Sequence, residues 1–148
     1  MTQQKIIEYC LAKTGAYIDY PFGPEVTIIK VKSPSQNTGR IFAQIFELKG
    51  EPFATFNCDR ITGEFYRQTY PKTVMRGYHC PPVQQPYFNT IKLDNSVSDN
   101  EILQMINHSY KVVVGKMPKY IQKELFNTYQ KEGEIDFSYD TELIIGDM

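Results

Sequence analysis

The chain contains no tryptophan, two histidines and three cysteines in 148 residues. Each scarcity removes a class of function. Cys10, Cys58 and Cys80 are scattered and odd in number, and no C-x-x-C occurs, so neither a disulfide framework nor a zinc knuckle is supported. His79 and His108 are too few to build a histidine-rich metal site. There is no G-x-S-x-G, phosphate-binding glycine loop, H-E-x-x-H or calcium loop, so the expectation is a non-enzyme with no cofactor and no metal. No apolar run approaches the length of about 18 residues at which a membrane span is suspected. The opening residues MTQQKIIEYC lack the basic-then-apolar pattern of an export signal, which points to the reducing cytoplasm and to no membrane partner.

What is present is enough for one core: 41% of the residues are hydrophobic, and the length suits a single domain. The net charge of −1 conceals a division. Residues 132–148 carry six acids (Glu132, Glu134, Asp136, Asp140, Glu142 and Asp147) and no Lys or Arg. The remaining 131 residues hold 16 basic and 17 − 6 = 11 acidic side chains, a balance of +5. The organisation read from this is a domain over 1–131 and an acidic extension over 132–148. Strict alternation in Ile135-Asp136-Phe137-Ser138-Tyr139-Asp140 makes that extension a possible added strand.

The clearest element is a helix beginning near Ser98. Ser98 and Glu101 have capping-box spacing, Val97 and Ile102 are placed as a hydrophobic staple, and Ile102, Met105, Ile106, Ser109, Tyr110, Val113 and Val114 form one stripe. On that stripe the Ser109 hydroxyl is expected to bond back to the carbonyl of Met105, and His108 to face solvent. An N-terminal helix is expected over 2–14, ended by Gly15 in the left-handed region. The link Ile18–Pro24 is expected to be irregular because of its two prolines. Strands follow at Val26–Lys32, Ile41–Leu48 and Phe53–Cys58, the first two joined by a polar, mobile connector over 33–39. A weaker helix is capped by Asp59 with Ile61 and Phe65 on its face and Gly63 against it. Tyr87–Leu93 alternates as a strand, and a last helix after Pro118 carries Ile121, Leu125 and Tyr129. These predict an α+β fold, an antiparallel meander with helices packed on one face.

Several short stretches also fall in a familiar order. Tyr9-Cys10-Leu11, Pro21-Phe22-Gly23, Arg76-Gly77-Tyr78-His79, Asn89-Thr90-Ile91 and His108-Ser109-Tyr110-Lys111-Val112-Val113-Val114 together resemble the MmcQ/YjbR family across roughly Ile6 to Lys119. That resemblance implies a fold related to frataxin/CyaY and a double-wing DNA-binding role. One departure is plain: where many members carry a basic segment with His and Trp, this chain has the uncharged Cys80–Phe88, with Phe88 at the Trp position.

The candidate contact residues for weak, salt-sensitive DNA binding are Lys30, Lys32, Arg40, Lys49, Arg60, Arg67, Lys72 and Arg76, eight bases against four acids over residues 28–80. Against this stands the plain alternative that lysines on hairpins are solvated edge protection. A second class of function is a protein-interaction module, docking a partner or another copy through the rigid apolar loop from Pro81 to Phe88. In that region Tyr78, His79, Pro82, Tyr87 and Phe88 are interaction or turn residues, with His79 expected to donate to a backbone carbonyl. Iron binding by frataxin-like analogy ranks lower, because the first helix holds only Glu8 beside Lys5 and Lys13.

Overall fold

A computed structural model describes residues 1–78 and 80–131, and the backbone alone for 128–131. His79 and the acidic extension 132–148, with its expected strand, lie outside the described residues, as does the side chain of Tyr129. The chain runs α1 (Gln3–Leu11), β1 (Ala16–Asp19), β2 (Thr27–Val31), β3 (Arg40–Leu48), β4 (Glu51–Asn57), α2 (Arg60–Thr69), β5 (Val74–Arg76), β6 (Phe88–Lys92), α3 (Asp99–Gly115) and α4 (Lys119–Lys131). Among the described residues the strands form one antiparallel sheet in the order β1-β2-β3-β4-β6-β5, with four helices packed on it. The fold is α+β.

Alternation along the strands divides the sheet into two faces. Ile29, Ala43, Ile45, Ala54, Phe56 and Ile91 meet the helices, where Ile6, Ile102, Ile106 and Tyr110 complete one cluster. Ile28, Phe46 and Phe53 are also buried but lie outside that cluster, on the opposite face, where the Phe46 and Phe53 rings stack at 6.2 Å. The register explains the pairing, since Phe46 stands opposite Phe53.

The expected α3 start holds. Ser98 Oγ accepts from the N–H of Glu101 at 3.2 Å, and Val97 and Ile102 are both buried. Gly15 has φ +76°, and a Cβ there would sit 2.7 Å from the Lys32 carbonyl, so the left-handed turn and the close approach both require glycine. α1 itself ends at Leu11, capped at its start by Thr2.

Four expectations change. The region read as irregular from Ile18 contains the end of β1, because pairing of Ile18 with Ile29 and Asp19 with Ile28 precedes the prolines. The connector 33–39 is tied down rather than loose: the Ser35 N–H and hydroxyl both donate to Glu124 on α4, and the Gly39 N–H donates to the Tyr17 hydroxyl. α2 is rotated from the expected face. Gly63 and Tyr66 are buried, while Ile61 is 83% exposed and Phe65 59% exposed. A Cβ at Gly63 would lie 2.5 Å from Cys58 Sγ, so α2 presses its smallest residue against Cys58 and Pro86.

The fourth concerns Ser109. Phe42 is an extra residue in β3, since Ile29 pairs with Ala43 and Lys30 already with Ile41. The β3–β4 pairing ends at Ala43 and Phe56. Ser109 reaches from α3 into the gap, donating to the Phe42 carbonyl and accepting from the Asn57 N–H, instead of bonding back to Met105.

Candidate functional site

A meander turns at alternate ends. The β2–β3 connector therefore closes at the end where Arg40 begins β3, and the β3–β4 tip, Lys49-Gly50, closes at the other end. Eight residue steps along β3 separate these ends by roughly 26 Å. The two expected wing tips point in opposite directions.

Their electrostatic surroundings differ as well. Lys49 stands between the exposed Glu47 and Glu51, and this end also carries Glu25, Asp94, Asp99 and Glu101. At the Arg40 end, strand directions and register collect Arg40, Arg76 at the close of β5 and Arg60 at the start of α2. All three are exposed and make no ion pair among the described residues. Lys116, exposed just past the C-terminal turn of α3, lies at the same end. The acids at this end include Asp59, next to Arg60 and 3.1 Å from His108 Nε2, and Glu124, which accepts from Ser35 in the β2–β3 connector.

Three of the other sequence-predicted bases, Lys30, Lys32 and Arg67, are used within the protein. Lys30 is bound to Asp19 at 2.9 Å, with its side chain largely covered. Lys32 lies over the Tyr17 ring, 5.5 Å from its centroid. Arg67 donates to Asn89 Oδ1 at 2.7 Å and to the Pro86 carbonyl at 3.4 Å, while Asn89 donates to the Gly63 carbonyl, so the pair bolts α2 to β6. Lys72 is exposed in the turn before β5, at the acidic end.

The Cys80–Phe88 segment is internally braced. Gln84 and Gln85 N–H groups donate to the Pro81 carbonyl at 2.8 and 3.1 Å, opening a single 3-10 turn over Gln85–Tyr87. Tyr78 is exposed and its N–H donates to Thr90 Oγ1, itself bonded to Thr55 Oγ1 at 2.8 Å. The Tyr87 carbonyl accepts from the Cys58 N–H, and its ring is exposed. Phe88 is half-buried as the first residue of β6, opposite Asn57. Pro82 and Val83 stand outermost, Val83 at 84% exposure.

Sequence reasoning missed the pairing of His108 with Asp59. The imidazole Nε2 accepts from the Asp59 N–H at 3.2 Å and lies 3.1 Å from Asp59 Oδ2. Burial lowers the His108 pKa, opposed by the nearby carboxylate. Beside it is a void of about 10 Å³, water-sized, lined by Cys58, Thr62, Tyr66 and Met105 among others. The Cys58 thiol is pushed up to about 11 by burial and Cys10 to about 12, so neither is a thiolate near neutral pH. Among the described residues no group of three His, Cys, Asp or Glu side chains is placed to hold a metal ion, and no helix is long and apolar enough to cross a membrane.

Comparison with known proteins gives one consistent result. A family model described as YjbR matches residues 11–112. The chain is 26% identical over 125 residues to the Escherichia coli K12 protein named "Uncharacterized protein YjbR", covering 84% of this chain and 98% of that one. It is 28% identical over 106 residues to "Uncharacterized protein YbdF" of E. coli O157:H7, covering 72% and 79%. Among solved structures it is similar to Deinococcus radiodurans protein DR2400, a DUF419 domain, with TM-score 0.75, 25% identity and coverage of 84% and 88%. A Pseudomonas syringae protein shares the fold at TM-score 0.62 and 15% identity, covering 76% of this chain and 99% of that one.

Proposed function

The chain belongs to the YjbR family, and on that premise we propose a non-enzymatic, cytoplasmic DNA-binding protein that contacts backbone phosphates through the Arg40 end of its sheet. The observation that supports this reading is the segregation of charge. Arg40, Arg60 and Arg76 stand exposed and without an ion pair among the described residues at one end, where Asp59 and Glu124 also lie, while the acids Glu25, Glu47, Glu51, Asp94, Asp99 and Glu101 gather at the other beside Lys49, Lys72 and Lys92. Phosphate neutralisation by such a cluster supplies sequence-independent affinity in the weak range. The reading keeps the phosphate contact expected of the two wings and moves it to one end, because Lys49 is set among acids and Lys30 is committed to Asp19. Charge reversal at Arg40, Arg60 and Arg76 together should abolish binding to a mixed-sequence duplex, and reversal at Lys49 and Lys72 should not. Equal loss from both sets would overturn the assignment of the end.

A second reading is favoured by one feature, the outward display of Val83 between Pro82 and Gln84 on a braced loop. As a protein-docking knob it would seat on a partner or on another copy. Sedimentation of the protein and of Val83→Asp over a range of concentrations tests the self-association form: a wild-type dimer lost in the variant supports it, and two monomers refute it.

A further inference from the structure

β1 and β5 form the edges of the sheet, and β1 pairs with β2 alone. The Lys32 N–H donates to the Gly15 carbonyl at 3.2 Å, which makes Gly15 and Lys32 a hydrogen-bonded pair. Such bonding alternates along an antiparallel ladder, so Tyr17 and Asp19 bond to β2 while Ala16 and Ile18 turn their backbone groups outward. The Ala16 N–H is spent on the Lys13 carbonyl at 3.1 Å. The Ala16 carbonyl and both backbone groups of Ile18 have no partner strand among the described residues. They are the row of groups that a further strand takes up.

The two sides of this edge differ in chemistry. Ile18 stands opposite Ile29 on the helix side and is 39% exposed. Leu11 closes α1, which packs on β1, and is equally exposed. On the far side Tyr17 stands opposite Lys30, and Lys32 lies over the Tyr17 ring. Lys30 is paired with Asp19, whereas Lys32 has no carboxylate partner among the described residues.

One segment of the chain carries the matching pattern. In Ile135-Asp136-Phe137-Ser138-Tyr139-Asp140 an extended backbone sends Ile135, Phe137 and Tyr139 to one side and Asp136 and Asp140 to the other. Its point of attachment is close. A Cβ on Gly15, the residue before β1, would lie 2.5 Å from Leu125 Cδ1, so α4 passes beside the start of β1. The six helical steps from Leu125 to Lys131 cover about 9 Å, and the four steps on to Ile135 span at most about 14 Å. The β5 edge is five strand spacings away, roughly 24 Å, with α3 packed on the sheet between, so the segment meets β1 first.

We propose that residues 135–140 of the acidic extension add to the sheet as a strand on the outer edge of β1. Ile135, Phe137 and Tyr139 pack toward Ile18 and Leu11, and the two aspartates face Lys30 and Lys32. The added strand takes up the outward backbone groups of Ala16 and Ile18, supplies Lys32 with a carboxylate and closes this edge to a second copy of the chain. The DNA reading is a separate matter, and either can fail without the other.

NOEs and amide hydrogen exchange in isotopically labelled full-length protein test this, with Phe137→Asp as the variant. The expected result is NOEs joining residues 135–140 to Ile18. The Ile18 amide should also exchange on the order of tenfold more slowly in the wild type than in Phe137→Asp, at every protein concentration. The Ile45 amide, on β3 inside the sheet, should exchange equally in both proteins and report an intact fold. An Ile18 amide equally fast in both, or NOEs from residues 135–140 to the exposed Ile61 and Phe65 of α2 instead, would overturn the proposal. So would protection of Ile18 that disappears on dilution, since the added strand would then belong to a second copy.

Discussion

Ser109 on α3 donates its hydroxyl proton to the carbonyl of Phe42 on β3 at 2.6 Å, and the same oxygen accepts the N–H of Asn57 on β4 at 2.8 Å. One side chain from the helix thus replaces the rung that the sheet loses where Phe42 bulges out of register. The position has to be small enough to enter the gap and polar enough to satisfy both backbone groups.

Ser109→Ala leaves a buried carbonyl and a partly buried N–H without partners. The variant should lose roughly 2–4 kcal/mol of stability, measured by urea unfolding, since each orphaned group costs about 1–3 kcal/mol. A loss below about 0.5 kcal/mol would show that water or a shift of β3 makes good the rung.

His108 gives the fold a pH dependence. Its folded pKa lies below the ordinary value of 6.5, because burial disfavours the imidazolium. The unfolded chain therefore binds the proton first as pH falls, so this contribution is complete above about 6.5 and is lost below it, down through the folded pKa. Thermal midpoints should fall from neutral pH toward pH 5, and His108→Gln should flatten that decline. An unchanged slope in the variant would assign the dependence to other groups.

Arg67 and Arg60 sit on the same helix and should behave oppositely. Arg67→Ala removes the donor to Asn89 and Pro86 and should cost roughly 1.5–3 kcal/mol, the range for a hydrogen bond to a charged group. Its effect on DNA affinity, per folded molecule, should be small. Arg60→Ala should leave the melting temperature almost unchanged and weaken DNA binding. Paired melting and binding measurements separate the two roles, and an exchanged pattern would contradict the placement.

The acidic extension bears on the same surface by charge alone. Deleting residues 132–148 removes six acids and no base, taking the balance from −1 to +5. DNA affinity should rise by roughly threefold to tenfold as the net field changes sign. Unchanged affinity would remove the extension from the account.

The parts of the fold legible in the sequence were those set by neighbours in the chain. The Ser98–Glu101 cap, the Val97–Ile102 staple and the α3 stripe need no distant partner, and the structure reproduces them. β1 was hidden because its pairing with β2 is invisible in four residues next to two prolines. The α2 face was misread because apolar size pointed to Ile61 and Phe65. What decides it is the close approach of Cys58 and Pro86, which only Gly63 permits. The basic excess was legible as a count and not as a place. Which end of a strand carries a charge follows from turn order, and that order sends Lys49 and Arg40 to opposite ends.

The most direct test of the central claim is fluorescence anisotropy of a mixed-sequence DNA duplex with the full-length protein at about 50 and 200 mM salt. The account predicts binding that weakens steeply between the two. It also predicts that Arg40→Ala/Arg60→Ala/Arg76→Ala lowers the salt slope by about 3, one phosphate contact for each arginine. Absence of binding at the lower salt, or a triple variant that binds with the wild-type slope, would contradict it.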